Sequence, residues 1–397
     1  MAVSLLSHVV SDLCIGRPRV LTLPPSTPVA VALAKLRAGA DPFVFVDAEP
    51  ASRAKRGAAT VYVKVSVADI LCYVCSDTGN LTDPAAALAR PVSAIAAAVG
   101  GDHGSVARRV DPQTSLLDAI DVLLADGCQG LLVSLHTRTR RKHHYVPSSD
   151  AAAAADCCVL TREDIVRHLF GSISHFSHIA FLTVASLGLV RRDVHAVHVD
   201  DDGLDVIPLL RRAISDGTAV AVVADDNALI GEICPGVLGS CDVQSVFAAL
   251  AALSAGNVMT YIYCSLSHTP PEFLLCAIRA RLKDRGLEAM AELMDTGDAA
   301  SLPLSPSSTS SDEDSPIGCA RRPSRVSSGS FGWRSTEDVV ACHAMSSLVA
   351  VMAQALAHRV GYVWVVDEAS GALVGVVRFA DVLAVLREQI RPQVLCR

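Results

Sequence analysis

Aromatic residues are scarce in this sequence of 397 residues, because Phe, Trp and Tyr together make up only 4% of it. About half of the residues are nevertheless apolar, at 51%, and alanine and valine supply most of that fraction. This composition suits small α/β units in which helices and strands pack closely. The length allows two or three domains, each with an ample core.

The sequence also lacks an excess of basic residues: 34 Lys and Arg face 41 Asp and Glu, which gives a formal net charge of −7. A general nucleic-acid binder normally presents a basic face, so this balance argues against nucleic acid as a partner. The first residues lack the features of a secretory leader or a transit peptide, and the 13 cysteines are an odd number scattered through apolar segments. We therefore expect a cytoplasmic protein with reduced thiols rather than a disulfide framework.

Motifs of catalysis are missing as well. The sequence has no glycine-rich phosphate loop, G-x-S-x-G elbow or pair of catalytic acids, so we expect a protein that is not an enzyme and requires no cofactor or metal. Cys72 and Cys75 have the spacing of a redox pair, but no thioredoxin-like strand precedes them. Helical packing is therefore favoured over a redox enzyme. The uncharged stretch 243–268 is interrupted by Ser254 and Gly256, so a buried helix with a connector is favoured over a membrane span.

The sequence does contain one pattern that occurs four times: an apolar strand, a tight turn, a second apolar strand and a short helix. The clearest copies close with residues 61–71, 159–166 and 375–383, and a looser copy closes with 231–238. The paired strands are continuous apolar runs, as expected for strands that are covered on both faces. An internal repeat of this kind predicts an α/β fold of four similar units, with a repeated ligand cleft.

Three of the four copies place a carboxylate just past the last strand, at Asp69, Asp164 and Asp381. Ser66 and Thr161 lie three residues before the first two of these. This pattern resembles a capping box, in which a Ser or Thr and an acid satisfy the first turn of a helix. Capping boxes ordinarily carry Glu or Gln at the acidic position, so ligand binding stays an alternative, and the two roles are compatible.

In this repeated pattern the sequence resembles cystathionine-β-synthase (CBS) domains, which occur in tandem pairs called Bateman modules. Four repeats with no appended catalytic or transporter domain resemble the γ subunit of AMP-activated or SNF1-type kinases. They resemble more closely the plant CBS-only proteins of the CBSX type, through stretches 11–14, 231–233, 253–257 and 355–359. The resemblance covers nearly the whole chain except two polar insertions.

In this family the Asp after the last strand accepts hydrogen bonds from ribose hydroxyls, the preceding Ser or Thr contributes a hydroxyl, and apolar strand edges sandwich the adenine. An ionised carboxylate has two acceptor oxygens, which suits a vicinal diol. The resemblance therefore implies nucleotide-binding roles for residues at strand ends, namely Asp69, Ser66, Thr161, Asp164 and Asp381. Weaker candidates open the helices that face the cleft: Thr27, which precedes Pro28 at the first helical position, Ser115 and Ser347.

The chain departs from the family pattern at several positions. Val237 stands at the carboxylate position of the third repeat, and Arg378 replaces the Ser or Thr of the fourth. The kinase γ subunits place a basic pair ahead of the central strand to meet phosphate, but Gly361 and Tyr362 match those positions here. His358–Arg359 is displaced toward the helix, so a solvated helix end is favoured over a phosphate contact for this pair. Phosphate would then rely on helix N-termini.

We predict two Bateman modules, 1–170 with repeats at about 12–76 and 106–170, and 171–397 with repeats at about 190–255 and 335–392. The Ser-rich and Pro-rich stretch 299–330 predicts a disordered insertion before the core of the last repeat, with sequences that resemble kinase sites. The polar loop 137–150 is expected to project into solvent from the second repeat.

The resemblance implies a regulatory protein that binds AMP, ADP or ATP as a regulatory ligand in clefts between repeats and transmits energy status to a partner. The partner classes it implies are a SNF1-related protein kinase complex and a thioredoxin-system protein, without nucleic acid or membrane. Homodimers that assemble head to head are frequent in this family. The alternative is a ligand-free CBS scaffold that acts only through protein–protein interaction, which Val237 and the missing basic pair favour.

Overall fold

The computed structural model describes residues 8–39, 41–47, 61–99, 106–125, 127–135, 157–267, 270–299 and 339–390. The loop 137–150 and all but the first residue of the insertion 299–330 lie outside the described residues. The strands are β1 (Thr22–Leu23), β2 (Phe43–Asp47), β3 (Val61–Ser66), β4 (Val106–Val110), β5 (Cys128–Ser134), β6 (Cys157–Leu160), β7 (Ala196–His198), β8 (Val220–Val223), β9 (Leu229–Ile233), β10 (Ala341–Cys342), β11 (Tyr362–Val366) and β12 (Leu373–Arg378).

The α-helices are α1 (Val29–Ala38), α2 (Val67–Cys75), α3 (Thr78–Thr82), α4 (Pro84–Ala89), α5 (Ser93–Val99), α6 (Leu116–Leu124), α7 (Arg162–Gly171), α8 (Ser177–Ala180), α9 (Val206–Asp216), α10 (Val243–Ala252), α11 (Ala255–Ser267), α12 (Glu272–Asp284), α13 (Glu288–Ala299), α14 (Leu348–His358) and α15 (Phe379–Gln389). Short 3₁₀ turns occur at Val10–Leu13, Ile173–Phe176, Gly203–Asp205 and Leu238–Ser240.

The same succession of strand, helix, strand, strand and helix occurs four times. Unit 1 is β1-α1-β2-β3-α2, unit 2 is β4-α6-β5-β6-α7, unit 3 is β7-α9-β8-β9-α10, and unit 4 is β10-α14-β11-β12-α15. In every unit the first strand pairs with the second in parallel, and the second pairs with the third antiparallel. The predicted α/β fold is confirmed.

The four units form a closed ring. Units 1 and 2 share one six-stranded sheet, because β3 pairs antiparallel with β4. Units 3 and 4 have separate three-stranded sheets, which meet at an isolated bridge between Ala228 and Ala372. Helix α2 packs on α9 and α10 to join units 1 and 3, and α7 packs on α14 and α15 to join units 2 and 4. Each unit therefore has two neighbours in the ring.

A buried carboxylate strengthens the junction between units 3 and 4. Glu232 on β9 is 3% exposed, and its Oε2 accepts hydrogen bonds from Tyr362 Oη at 2.9 Å and Trp364 Nε1 at 2.7 Å, both on β11. Leaving this buried carboxyl group without hydrogen-bond partners would be costly, so the two contacts stabilise the observed arrangement of units 3 and 4. At the neighbouring Gly231 a Cβ would lie 2.2 Å from Met259 Sδ, so a larger residue there would require the Met259 side chain to move.

Two apolar cores follow the helical contacts of the ring. The first combines side chains from units 1 and 3, such as Leu71 and Phe247, and the second combines units 2 and 4, with Leu160 and Trp364. Helices α12 and α13 extend the first core, because they pack on α10, and α13 also contacts α3 and α4. These two helices therefore tie unit 1 to unit 3 a second time.

The uncharged stretch 243–268 forms two mostly buried helices, α10 and α11, with a break at Leu253 and Ser254. This confirms the predicted buried helix and connector. Across the described ranges, the helices are too short or too polar to cross a membrane.

The start of α1 differs from the prediction. Pro28 is the N-cap rather than the first helical residue, and no side chain caps this helix end. The neighbouring segment does so through its backbone, because Arg90 accepts a hydrogen bond from Val29 N and Val92 N donates to Thr27 O at 2.7 Å. The predicted cap at Thr27 is therefore wrong.

Candidate ligand-binding cavity

Loops from all four units meet around one cavity with a volume of about 520 Å³. Each unit contributes residues that follow its last strand, at 66–67, 161–163, 234–236 and 379–380. Each unit also contributes residues near the start of its middle strand, at 41–43, 129, 216–218 and 359–362. Equivalent strand ends thus converge at the centre of the ring, and the volume falls within the range of small-molecule sites.

Side chains of both charges line this cavity. The cations are Arg37, Lys64, Arg162 and Arg359, and the anions are Asp41, Glu163 and Asp216. Helices α2 and α7 begin at the cavity wall, at Val67 and Arg162, so the positive ends of their dipoles lie beside it. Helix N-termini favour anions. The cavity therefore combines cationic side chains with helix ends of the same electrostatic sign.

Lys64 is the charged residue of the otherwise apolar strand β3. Val63 and Val65 face the core between units 1 and 3, so alternation places Lys64 on the opposite face, with Ser66. Its Nζ lies 4.8 Å from the centroid of the Phe43 ring. Burial lowers the pKa of Lys64. Among the described residues no carboxylate forms an ion pair with it, so this ammonium group is available to an anion in the cavity.

Other charges at the cavity are held by the protein itself. Arg162 Nη2 donates to Cys128 O at 2.8 Å, and burial lowers its pKa. Asp216 Oδ2 lies 2.8 Å from His195 Nε2 and 3.5 Å from Arg378 Nη1. The hydrogen bond with His195 lowers the pKa of Asp216, and the charge of Arg378 adds to the effect. Because Asp216 is paired with His195 and Arg378, it repels a ligand anion less than an isolated carboxylate would.

Ser66 and Asp69 form a capping box at the start of α2. Asp69 Oδ2 accepts hydrogen bonds from Ser66 N at 2.7 Å and from Ser66 Oγ at 2.6 Å. Burial raises the pKa of Asp69, although the bonds from Ser66 oppose the shift. Ser66 lines the cavity, whereas Asp69 lies one turn behind it at 4% exposure. The predicted capping box is therefore present at the start of α2, and Ser66 also lines the cavity.

Thr161 and Asp164 repeat this capping box at the start of α7. Asp164 Oδ2 accepts from Thr161 N at 2.7 Å and from Thr161 Oγ1 at 2.8 Å. Its second oxygen, Oδ1, pairs with Arg17 Nη2 at 2.5 Å. Thr161 lines the cavity. Both oxygens of Asp164 therefore already have partners within the chain.

Asp381 is bound by two arginines instead of a capping box. Its Oδ1 accepts from Arg191 Nε at 2.8 Å and its Oδ2 from Arg378 Nε at 2.8 Å. Burial alone would raise the pKa of Asp381, but the hydrogen bonds from Arg378 and Arg191 outweigh it and hold the pKa below its usual value. A ribose would have to displace an arginine to reach this carboxylate.

The weaker candidates lie elsewhere. Ser115 and Ser347 cap α6 and α14 by accepting from Asp118 N and Ala350 N, and Thr27 lies beside Arg90–Val92. None of the three lines the cavity. The structure thus brings together Ser66 and Thr161, with Asp69 and Asp164 directly behind them, and does not bring Thr27 and Ser347 to the same place.

The structure also shows the surroundings of two departures from the family pattern, Val237 and Arg359. Val237 precedes the short turn Leu238–Ser240, and α10 begins only at Val243 with Asp242 as its cap. Arg359 lines the cavity, although it is exposed and ends α14 in a left-handed conformation. This exposure agrees with the expected solvated helix end, and the chain reversal at Arg359 also brings it to the edge of the cavity.

Cys72 and Cys75 are buried in α2, and burial raises the pKa of both thiols, that of Cys75 to about 12. This agrees with helical packing. Within the described ranges, no group of three or more His, Cys, Asp and Glu side chains is arranged to hold a metal ion.

Sequence reasoning missed Lys64, Arg37 and Arg162 as cavity residues. A charged residue in a run of β-branched residues, as at Lys64 in Val61–Ser66, is the local signal that marks such a position. Arg162 directly follows the predicted hydroxyl of Thr161 and has no comparable signal, because its neighbours are already polar.

Comparison with known proteins agrees with this architecture. The CBS domain family model matches residues 334–388, which contain unit 4. The chain is also similar to a crystal structure from Methanocaldococcus jannaschii, described as a candidate archaeal homologue of γ-AMPK. That structure has a TM-score of 0.52 and 14% identity, and the match covers 96% of this chain and 100% of the other. At this level of identity the likeness shows the fold alone.

Two curated relatives from Arabidopsis thaliana narrow the family. CBS domain-containing protein CBSX5 is 36% identical over 402 residues, which cover 98% of each chain. CBS domain-containing protein CBSX6 is 27% identical over 238 residues, or 58% of this chain and 51% of the relative. The chain therefore belongs to the CBS domain-containing proteins of the CBSX type.

Proposed function

We propose that this protein is a non-catalytic regulatory protein whose four units are CBS repeats in two Bateman modules, and that it binds an adenine nucleotide in the central cavity. The observation that carries the proposal is Lys64, which forms no ion pair within the described residues and borders a cavity of about 520 Å³ together with Ser66 and Thr161. Cavities of this size with a few placed polar groups are typical of small-ligand sites.

The charges support an anionic ligand with a polar sugar. Lys64 and Arg359 come from opposite members of the ring, units 1 and 4, so one phosphate group between them would join units that share no sheet. Thr218 of unit 3 adds a buried Oγ1 that has no hydrogen-bond partner within the described residues and borders the same cavity. Buried polar atoms without partners are unusual, and a bound hydroxyl or phosphate oxygen would satisfy this one.

Regulation follows from the position of the ligand at the centre of the ring. A nucleotide that contacts several units stabilises one arrangement of them, and a partner protein that prefers this arrangement then senses occupancy. The partner classes are a SNF1-related kinase complex or a thioredoxin-system protein. Co-precipitation with SNF1-type kinase subunits, with and without AMP, tests the first class; capture that does not change with AMP would remove nucleotide sensing from the proposal.

Isothermal calorimetry with AMP, ADP and ATP is the direct test of ligand binding. We expect saturable binding that Lys64→Met weakens about tenfold, because a charge-assisted contact to phosphate is worth about 1.4 kcal/mol. Lys35→Met is the matched control, since Lys35 is exposed on α1 and lies outside the cavity lining. Equal weakening by both substitutions would contradict a specific role for Lys64.

The second candidate function is a scaffold that binds no nucleotide and acts only through protein–protein interaction. Two observations favour it. The carboxylate oxygens of Asp164 and Asp381 already bind arginines, and Val237 has no carboxylate, so three of the four positions offer no carboxylate with two oxygens free to accept from ribose hydroxyls. Flat calorimetric traces from folded protein with all three nucleotides would support the scaffold, whereas a fitted stoichiometry of one would support a single central site.

A further inference from the structure

The segments that precede units 1 and 3 make equivalent contacts. We call residues 8–17 and 183–191 the leading segments. Near its start, each forms an isolated antiparallel bridge to the second unit of its own half of the chain: Val9 with Ser115, and Thr183 with Ser347. At its end, each has an arginine that pairs with the carboxylate in the first turn of the last helix of that unit: Arg17 with Asp164, and Arg191 with Asp381.

Two histidines meet where the first leading segment crosses α7. His8 Nδ1 lies 3.0 Å from His168 Nε2, and the ring centroids are 5.0 Å apart with the ring planes tilted by 54°. The backbone places His8 there, because its carbonyl oxygen accepts a hydrogen bond from Leu116 N at 3.1 Å and Val10 N donates to Thr114 O at 3.0 Å. Both rings are partly buried. Their hydrogen bond therefore links the start of the segment to α7.

The equivalent positions of the second half are apolar. Leu182 precedes its bridge residue as His8 does, and its carbonyl oxygen accepts a hydrogen bond from Leu348 N at 2.9 Å, as that of His8 does from Leu116 N. Val385 follows Asp381 by four positions, as His168 follows Asp164. The backbone contact is thus the same in both halves, whereas only the first half carries side chains here that can gain a proton.

We propose that His8 and His168 form a pH-sensitive latch, which holds the start of the first leading segment on unit 2 while at most one of the two rings is protonated and releases it when both are. A neutral imidazole offers one donor and one acceptor nitrogen, so the bond needs at least one neutral ring. Two imidazolium rings have no acceptor between them and repel each other at this distance. This inference does not depend on nucleotide binding.

The surroundings of His168 oppose the second proton. Burial lowers the pKa of His168, the charge of His8 lowers it further, and the charge of Asp12 works against both. Asp12 is fixed on the segment, because its Oδ2 accepts a hydrogen bond from Val9 N at 3.0 Å. Since the pKa of His168 lies below its ordinary value of 6.5, its contribution to the closed latch is present above pH 6.5 and is lost as the pH falls through its pKa.

The other charged groups on the elements around the pair have partners of their own or are exposed. Helices α14 and α15 pack on α7, and α15 also packs on α6. The ion pairs on these elements and on the segment are Arg17–Asp164, Glu163–Arg167, Asp121–Arg387 and Asp381 with Arg191 and Arg378. Hydrogen bonds join Asp118 to Ser115, Arg162 to Cys128 O, His175 to Ser172 O and His178 to Gln389. His358 and Glu388 are exposed near helix ends. Among the described residues, Asp12 is therefore the anion left to moderate the charge of the two rings.

Hydrogen–deuterium exchange of the native, full-length protein tests the latch, at about pH 7.5 and about pH 5.5 with correction for the intrinsic pH dependence of amide exchange. The amides of the first segment donate to Thr114, Pro112 and His8: Val10, Ser11 and Leu116. Their counterparts in the second half donate to Ser346, Ala344 and Leu182: Val184, Ala185 and Leu348. We expect protection of the first set to fall about tenfold at the lower pH, because each pKa unit by which closure lowers His168 changes the opening equilibrium tenfold. Protection of the second set should stay constant.

Matched variants assign the response to the two histidines. The double substitution His8→Leu with His168→Val introduces the residue types of the second half, and we expect it to abolish the pH response of the first set. His175→Asn is the control, because His175 is exposed and contacts only its own turn through Ser172 O; the response should remain. The proposal is overturned if both sets respond equally, if neither responds, or if the double variant keeps the response. The comparison of the two sets uses the unmodified protein, so it stands even if a variant does not fold.

Discussion

The leading segments, residues 8–17 and 183–191, precede units 1 and 3 and reach the second unit of their own half of the chain by different contacts. In the first half, Arg17 pairs with Asp164, and Val20 N, just beyond the segment, donates a hydrogen bond to Cys157 O at 2.9 Å. In the second half, Arg191 pairs with Asp381, and Arg191 and Val376 exchange two backbone hydrogen bonds of 2.9 Å, which Gly375 permits. The second leading segment is thus tied to the last strand of its half by a pair of backbone hydrogen bonds, whereas a single such bond lies at the end of the first.

The carboxylates follow the same division. Asp164 has one arginine partner, Asp381 has two, and Asp69 of unit 1 has none within the described residues. Unit 1 has no leading segment laid across it, because each segment crosses to the second unit of its half. The leading segments therefore make the two carboxylate positions of the first half unequal, and this inequality can be tested by substitution.

The largest effect should come from Gly375→Ala. The new Cβ would lie 2.5 Å from Arg191 O and 2.8 Å from Val190 Cγ1, and the backbone oxygen cannot rotate away. We expect a loss of about 2–3 kcal/mol in the free energy of unfolding, measured by urea denaturation. Gly171→Ala is the control, because nothing lies within 4 Å of a Cβ there; equal losses would mean that the tight contact at Gly375 does not matter.

A smaller effect should separate the two ion pairs. Asp381→Ala leaves Arg191 and Arg378 without a shared partner, and we expect it to cost about 2 kcal/mol, against about 1 kcal/mol for Asp164→Ala. The exposed pair of Asp121 and Arg387 gives the control, since Asp121→Ala should cost well under 1 kcal/mol. A larger loss at Asp164 than at Asp381 would reverse the proposed order of the two halves.

Much of this architecture could be predicted because its signals are local. The capping boxes of Ser66 and Thr161 join residues three positions apart, and the repeated strands are continuous apolar runs. The arginine partners could not be predicted in this way, because Arg17 and Asp164 are 147 positions apart and Arg191 and Asp381 are 190 positions apart. These arginine–aspartate pairs form only when the four units pack together, and no short sequence pattern predicts that packing.

The cavity shows the same limit. The sequence pattern identifies Ser66 and Thr161 at strand ends. Their position beside Arg359 in one cavity depends on how the four units pack. Gly231 and Glu232 were recognised as part of a family stretch, yet their role at the junction of units 3 and 4 appears only once Tyr362 and Trp364 face them.

The pH dependence of stability should have opposite signs at Asp69 and Asp381. The pKa of Asp381 is below its ordinary value of 3.8, so its contribution is present above pH 3.8 and is lost as the pH falls through the folded pKa. The pKa of Asp69 is raised above 3.8, so its contribution is present below that value and is lost as the pH rises through the folded pKa.

Urea denaturation of Asp69→Asn and Asp381→Asn from about pH 4 to pH 7 measures this difference. The penalty of Asp69→Asn relative to the unmodified protein should shrink as the pH rises, whereas that of Asp381→Asn should stay constant over this range. A penalty for Asp69→Asn that grows with pH would show that the capping bonds from Ser66, rather than burial, dominate the titration of this carboxyl.

The smallest effect should distinguish two serines with the same local role. Ser66 and Ser347 both cap a helix, but only Ser66 lines the cavity. Each substitution to alanine should cost about 0.5–1 kcal/mol of stability through loss of the cap. Calorimetry with AMP should then show weaker binding for Ser66→Ala and unchanged binding for Ser347→Ala. Unchanged binding for both would remove the Ser66 hydroxyl from the site, and weaker binding for both would mean that cap loss, rather than cavity contact, governs affinity.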